Sequence, residues 1–104
     1  MRSVLPGLMA GLMVATATGP SCASEALAEQ HACLNCHQLD KKLIGPAFKA
    51  VAAKYRGQTG AATYLQNKVK QGGGGVWGAV PMPAMDQVSP DDARKIVDWL
   101  LLLP

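Results

Sequence analysis

An all-α domain is what this sequence predicts, and three observations predict it. Apolar residues recur at helical spacing in several segments, capping residues stand where those segments would start, and no stretch alternates convincingly as a strand. With 104 residues the chain is one small domain at most. Domains of this size often lean on a disulfide, a metal or another staple, because the fraction of surface they bury falls with length. The 3 cysteines therefore need explaining before anything else. A formal net charge of +3 with 16% charged residues is too little for a disordered charged tail. It is also weak for a surface that tracks phosphates, so no nucleic-acid partner is expected.

The first segment is not expected to belong to that domain. Arg2 precedes an uncharged run from Ser3 to Ser24, apolar from Val4 to Ala15 and rich in small residues towards its end. A basic start, an apolar centre and small residues before the cut are the parts of a cleaved export signal. The expected division is a signal peptide over 1–23, removed before Ser24, and one domain over 24–104, located in the periplasm. A retained membrane anchor would need roughly 20 mainly apolar residues. Pro6, Gly7, Gly11, Gly19 and Pro20 interrupt this run, so no stable membrane insertion of the mature chain is expected. Lipid attachment at Cys22 lacks the usual aliphatic residue in the preceding Thr18-Gly-Pro-Ser21. The mature chain then keeps two cysteines, Cys33 and Cys36.

Ser24 is placed to cap a first helix through Glu25–Ala32, with Glu25 favourable at its positive end. Gly45 and Pro46 break the pattern after a loop from Lys41. In Ala47–Tyr55, residues Phe48, Val51, Ala52 and Tyr55 make one apolar face, and Gly57 ends the helix. Thr59 offers a cap for a third helix over Gly60–Lys70, in which Ala61, Leu65 and Val69 recur every fourth position. The run Gly72–Gly75 lacks the Lys-Ser/Thr of a nucleotide loop and reads as a flexible turn. Val76–Met85 is expected to be extended, because Pro81 and Pro83 fix φ and disfavour helix before them. The last helix has the clearest start: Ser89 as cap, Pro90 in the first position, then Asp91 and Asp92. Its buried face is Ala93, Ile96, Val97, Leu100 and Leu101, more apolar than one face needs, so it should pack across the first helix and around something apolar.

Cys33-Leu34-Asn35-Cys36-His37 is a Cys-x-x-Cys-His sequence, the attachment motif of c-type haem. Two thiols three positions apart on a helical turn can each join one vinyl group of the porphyrin, and the adjacent His37 then reaches the iron. A disulfide redox centre would expect a βαβ setting, and a zinc site a second ligand pair; neither fits this chain. An electron-carrying haem commonly takes a methionine on its other face, which raises the reduction potential. The mature chain has Met82 and Met85. Met82, held between two prolines, suits a weak bond that must persist in both oxidation states, whereas Met85 suits the commoner role of gap-filler. The candidate set is thus one haem c on Cys33 and Cys36, with His37 and Met82 as iron ligands. His31, two residues before Cys33, is poorly placed for the far haem face and is expected to be a solvated surface residue.

With these residues in view, the chain resembles the small bacterial class I cytochromes c of the cytochrome c-551/c-552 group, across 24–104. The matching pieces are the haem motif, Ile44–Lys49, Val51–Tyr55, Val76-Trp77-Gly78, Val80-Pro-Met-Pro83 and the last helix with Trp99. The resemblance implies the class I fold, four or so short helices wrapped around one covalently attached haem. It also implies Met82 as second axial ligand and the Pro46 carbonyl as acceptor of a hydrogen bond from His37, a contact that orients the ring. Trp77 would hydrogen-bond a haem propionate, with a buried core tryptophan as the other reading. Three departures stand out: Lys68 where relatives often have Arg, Met85 where they often have an Asn on the axial sulfur, and Ala28 in place of a bulky aromatic. The implied function is a periplasmic one-electron carrier, not an enzyme, shuttling electrons between respiratory donors and a terminal reductase or oxidase. Monomeric protein and transient docking to redox partner proteins are expected. Lys41, Lys42, Lys49, Lys54, Arg56, Lys68 and Lys70 could form a basic rim for that docking, or simply a solvated surface. A haem enzyme would need an open iron site and distal His or Arg groups that the sequence does not offer. A gas sensor or a subunit of a larger complex is the remaining alternative.

Overall fold

The computed structural model describes residues 7, 9–15 and 20–104. Four α-helices follow in order: α1 (Pro20–Gln30), α2 (Phe48–Tyr55), α3 (Ala61–Gln71) and α4 (Pro90–Leu101), with a 3-10 turn over Cys33–Asn35. No strand occurs among the described residues, which carry two isolated antiparallel bridges, His37 with Lys42 and Gly73 with Met82. The fold is all-α, as the periodicity predicts.

The helix α4 starts as its sequence dictates. The Ser89 hydroxyl accepts from the Asp92 amide at 3.1 Å, Pro90 fills the first position, and Asp91 and Asp92 face the positive end. Ala93, Ile96, Val97, Trp99 and Leu100 are buried, and the helix packs against α1, α2 and α3. It is the hub of the core, which also takes Ala28 from α1, Phe48, Val51 and Tyr55 from α2, and Ala61 and Leu65 from α3. The face expected for α2 is the face buried.

Two helix starts differ from expectation. Ser24 does not cap α1 but lies inside it and is buried, because the helix already begins at Pro20. Of the expected signal segment, 1–23, residues 1–6, 8 and 16–19 lie outside the described residues; 9–15 are exposed and without regular structure, and 20–23 open α1, so the expected cut before Ser24 falls inside that helix. Thr59 does not cap α3 either. Gly60, at φ +78°, takes the flanking position and no side chain caps the helix, since a left-handed glycine turns the chain into α3 at little steric cost.

His31 is the third correction. It is largely buried, and its Nε2 lies 2.9 Å from Asp92 Oδ2, tying the end of α1 to the first turn of α4. Amphipathic spacing could not reveal this contact, which joins residues 61 positions apart.

Candidate haem site

The Cys-x-x-Cys-His segment leaves α1 through Ala32, a non-glycine residue at φ +61°, and winds into the 3-10 turn. The backbone amides of Cys36 and His37 both donate to the Cys33 carbonyl, at 3.2 and 2.9 Å. That turn brings Cys33, Cys36 and His37 to one cavity of about 490 Å³, within the roughly 300–1,000 Å³ typical of cofactor sites. The floor is the hydrophobic core itself, including the fully buried Ile96 and Val97. Cys33 and Cys36 are not joined to each other. Burial pushes the Cys33 thiol up, against a backbone hydrogen bond that lowers it, and Cys36 pushes it up further. This is the reverse of the depressed thiol that disulfide exchange uses.

His37 is fixed on three sides. Its Nδ1 donates to the Pro46 carbonyl at 2.7 Å, as the family resemblance implies. A carbonyl can only accept, so the proton sits on Nδ1 and the Nε2 lone pair is left for a metal. Phe48 stacks on the ring at 4.9 Å with an interplanar angle of 15°, and meets Trp99 edge-on at 5.8 Å. Gly45 lies beneath: a Cβ built there would stand 2.6 Å from Cε1 and 2.9 Å from Nδ1. The sequence shows Gly45 as a helix breaker; its close contact with the imidazole required the tertiary structure.

Met82 and Met85 both line the same cavity. Met82 is paired with Gly73 in both directions, its amide donating at 2.8 Å and its carbonyl accepting at 3.0 Å. The glycine run is therefore not the flexible turn that composition suggests. Gly72, at φ +68°, abuts the Met82 carbonyl and would place a Cβ 2.7 Å from the Ala84 nitrogen, while Gly74 abuts Pro81. Only glycine permits that approach of two backbones. Met85 is anchored by its amide to the Val69 carbonyl at 2.9 Å.

Trp77 is 38% exposed and is not a core residue, a place Trp99 takes instead; Lys54 Nζ lies 5.0 Å from the Trp77 ring centre. Lys68 lines the cavity with its ammonium 5.5 Å from the Tyr64 ring. The basic rim is partly engaged: Lys49 pairs with Asp40, and Arg56 donates to the Leu101 and Leu103 carbonyls. Leu43, Ile44 and Val80 are exposed at the cavity mouth. Among the described residues no group of three His, Cys, Asp or Glu side chains could hold a metal ion.

A helical fold that brings a Cys-x-x-Cys-His turn, an imidazole with a fixed tautomer and a thioether to one apolar cavity has the donor set for a covalently bound haem. The profile of the family described as Cytochrome c matches residues 23–104. Cytochrome c-552 of Nitrosomonas europaea is 49% identical over 77 residues, 74% of this chain and 75% of that protein. Cytochrome c-551 of Pseudomonas aeruginosa is 46% identical over 77 residues, 74% of this chain and 73% of that protein. The crystal structure of wild-type Nitrosomonas europaea cytochrome c552 superposes with a TM-score of 0.75 at 48% identity, covering 77% of this chain and 99% of that one. The class 1 cytochrome MtoD of Sideroxydans lithotrophicus ES-1 gives 0.68 at 32% identity, covering 79% and 94%. The chain belongs to the cytochrome c family. It is a haem-containing electron-transfer protein rather than an enzyme, and it exchanges electrons with redox partners.

Proposed function

We propose that this cytochrome is an exported, monomeric, periplasmic carrier, moving one electron at a time between respiratory donors and a terminal reductase or oxidase. Haem c would be held covalently by Cys33 and Cys36, with His37 and Met82 as its iron ligands. The observation that carries the site is the 2.7 Å bond from His37 Nδ1 to Pro46, which presets the ring for ligation before any metal arrives. The two-way pairing of Met82 with Gly73 supports it as the second ligand, because an anchored thioether moves little between oxidation states. When bound, the haem supplies the redox chemistry. The chain contributes orientation, exclusion of water by Ile96, Val97 and Leu65, and an apolar mouth bordered by lysines, which suits short-lived docking to acidic partners.

Removal of 1–23 before Ser24 is part of this reading, supported by the exposed, unstructured 9–15 segment. No helix among the described residues is long and apolar enough to cross a membrane. The mass and N-terminal sequence of protein recovered from a periplasmic extract check the cut; intact protein in the membrane fraction would overturn it.

The ligand assignment is tested by proton NMR of the reduced holoprotein, in which the ring current shifts a ligating thioether methyl far upfield. The shifted methyl is expected to belong to Met82 and to persist in Met85→Ala. A shifted methyl assigned to Met85, or none with ready binding of added ligands, would sink the assignment.

A further inference from the structure

One apolar cavity in this protein receives two thioethers, and the second has no part in the function above. Met82 and Met85 are both half-buried and line the cavity, together with the more exposed Pro83, while the exposed Ala84 does not reach it. Both are tied to the end of α3, Met82 through Gly73 and Met85 through the Val69 carbonyl. The 82–84 backbone runs so close to Gly72 that a Cβ there would strike it, which keeps the two beside that helix end. A residue that merely fills a gap needs no polar partner for its sulfur. Met85 has one: Gln87 Nε2 donates to Met85 Sδ at 3.9 Å, from an exposed side chain that nothing else in the site requires.

We propose that Met85 is a second thioether donor to the haem site, held in reserve by Gln87 and drawn upon when Met82 is lost. The proposal rests on the haem-site reading above. Its chemistry is undemanding. A thioether is neutral, so moving it across an apolar cavity carries no charge penalty, and it needs no deprotonation to bind iron. Methionine is unbranched and has three rotatable bonds, so its sulfur swings far while the backbone stays anchored. What restrains it is one weak hydrogen bond to a solvated amide.

The test uses oxidised, haem-loaded Met82→Leu and Met82→Leu/Met85→Leu, with Met82→Ala in parallel as a smaller replacement in case leucine crowds the cavity. Covalent haem retention and helical circular dichroism establish that each variant is folded. Two readouts are taken: the weak near-infrared band of a sulfur bound to ferric haem, and titration with imidazole. With Met85 as donor, the single variant keeps a sulfur band and the double variant has none. Imidazole then binds the single variant about tenfold more weakly, since a site filled by an internal ligand is open only a fraction of the time. Adding Gln87→Ala to the single variant is expected to widen that gap. Equal imidazole binding with no band in either variant overturns the proposal and leaves the Met82 assignment intact. A single variant indistinguishable from wild type overturns both, because Met85 would then be the primary ligand.

Discussion

At the scale of single residues, the haem site depends on positions that carry no chemistry. Gly45 is occupied by hydrogen because the imidazole of His37 leaves no space for a methyl. Gly45→Ala must push the ring off the Pro46 carbonyl, and overpacking of this kind costs about 1–3 kcal/mol. Denaturant unfolding of the holoprotein should show that loss, together with a changed visible spectrum; an unchanged spectrum would mean that the ring does not rest on Gly45. Ala32 makes the opposite case. It sits at φ +61°, where an L-residue with a Cβ is strained by roughly 1–2 kcal/mol. Ala32→Gly is expected to raise stability by about 1 kcal/mol after the greater entropy of the unfolded glycine chain is subtracted. A fall in the unfolding midpoint would show that the conformation is not strained. The sequence shows Gly45 only as a helix breaker and Ala32 not at all, since a glycine's contact with a ring and an alanine's strain come from φ and from the atoms above them.

Among the elements, α4 carries a feature that can be checked by pH. Arg94 bonds to Asp91 at 2.6 Å and Lys95 reaches it at 2.9 Å, and these hydrogen bonds and charges hold the carboxyl below its ordinary value of 3.8. A carboxyl depressed in the folded state stabilises above its unfolded pKa, and that contribution is lost as pH falls through the lower folded value. Unfolding free energy measured from about pH 5 down to about pH 2 should therefore fall less steeply in Asp91→Asn than in the parent. Parallel acid limbs would show that the exposed pairs contribute nothing, as many surface pairs do. The start of α4 was legible in its sequence because Ser89, Pro90 and the two aspartates act locally. The starts of α1 and α3 were not, because Ser24 is absorbed into a longer helix and Gly60 displaces Thr59 by taking a left-handed turn.

Across the whole molecule, core and site are one structure, and Phe48 joins them. One face stacks on His37 and its edge meets Trp99 on α4, the helix that organises the core. Phe48→Ala should cost about 3–5 kcal/mol, the usual range for a buried phenylalanine. It should also alter the reduction potential, because the imidazole loses the wall that fixes its plane. A stability loss with an unchanged potential would mean that Pro46 alone orients the ring. The contact between His31 and Asp92 acts at the same scale, closing α1 onto α4 just before the haem motif begins.

The sequence by itself determined the helical class, the apolar face of α2, the cap of α4, the haem motif and the pairing of His37 with Pro46 through the family resemblance. Each rests on neighbouring residues or on a motif whose spacing is its mechanism. Only the tertiary structure decided that His31 is a tie rather than a surface group, that Trp99 and not Trp77 is the core tryptophan, and that the glycine run is a packed backing for Met82. These depend on which distant segments meet. A hydrogen bond across 61 residues or a Cβ that would strike another strand of backbone leaves no periodic trace along the chain.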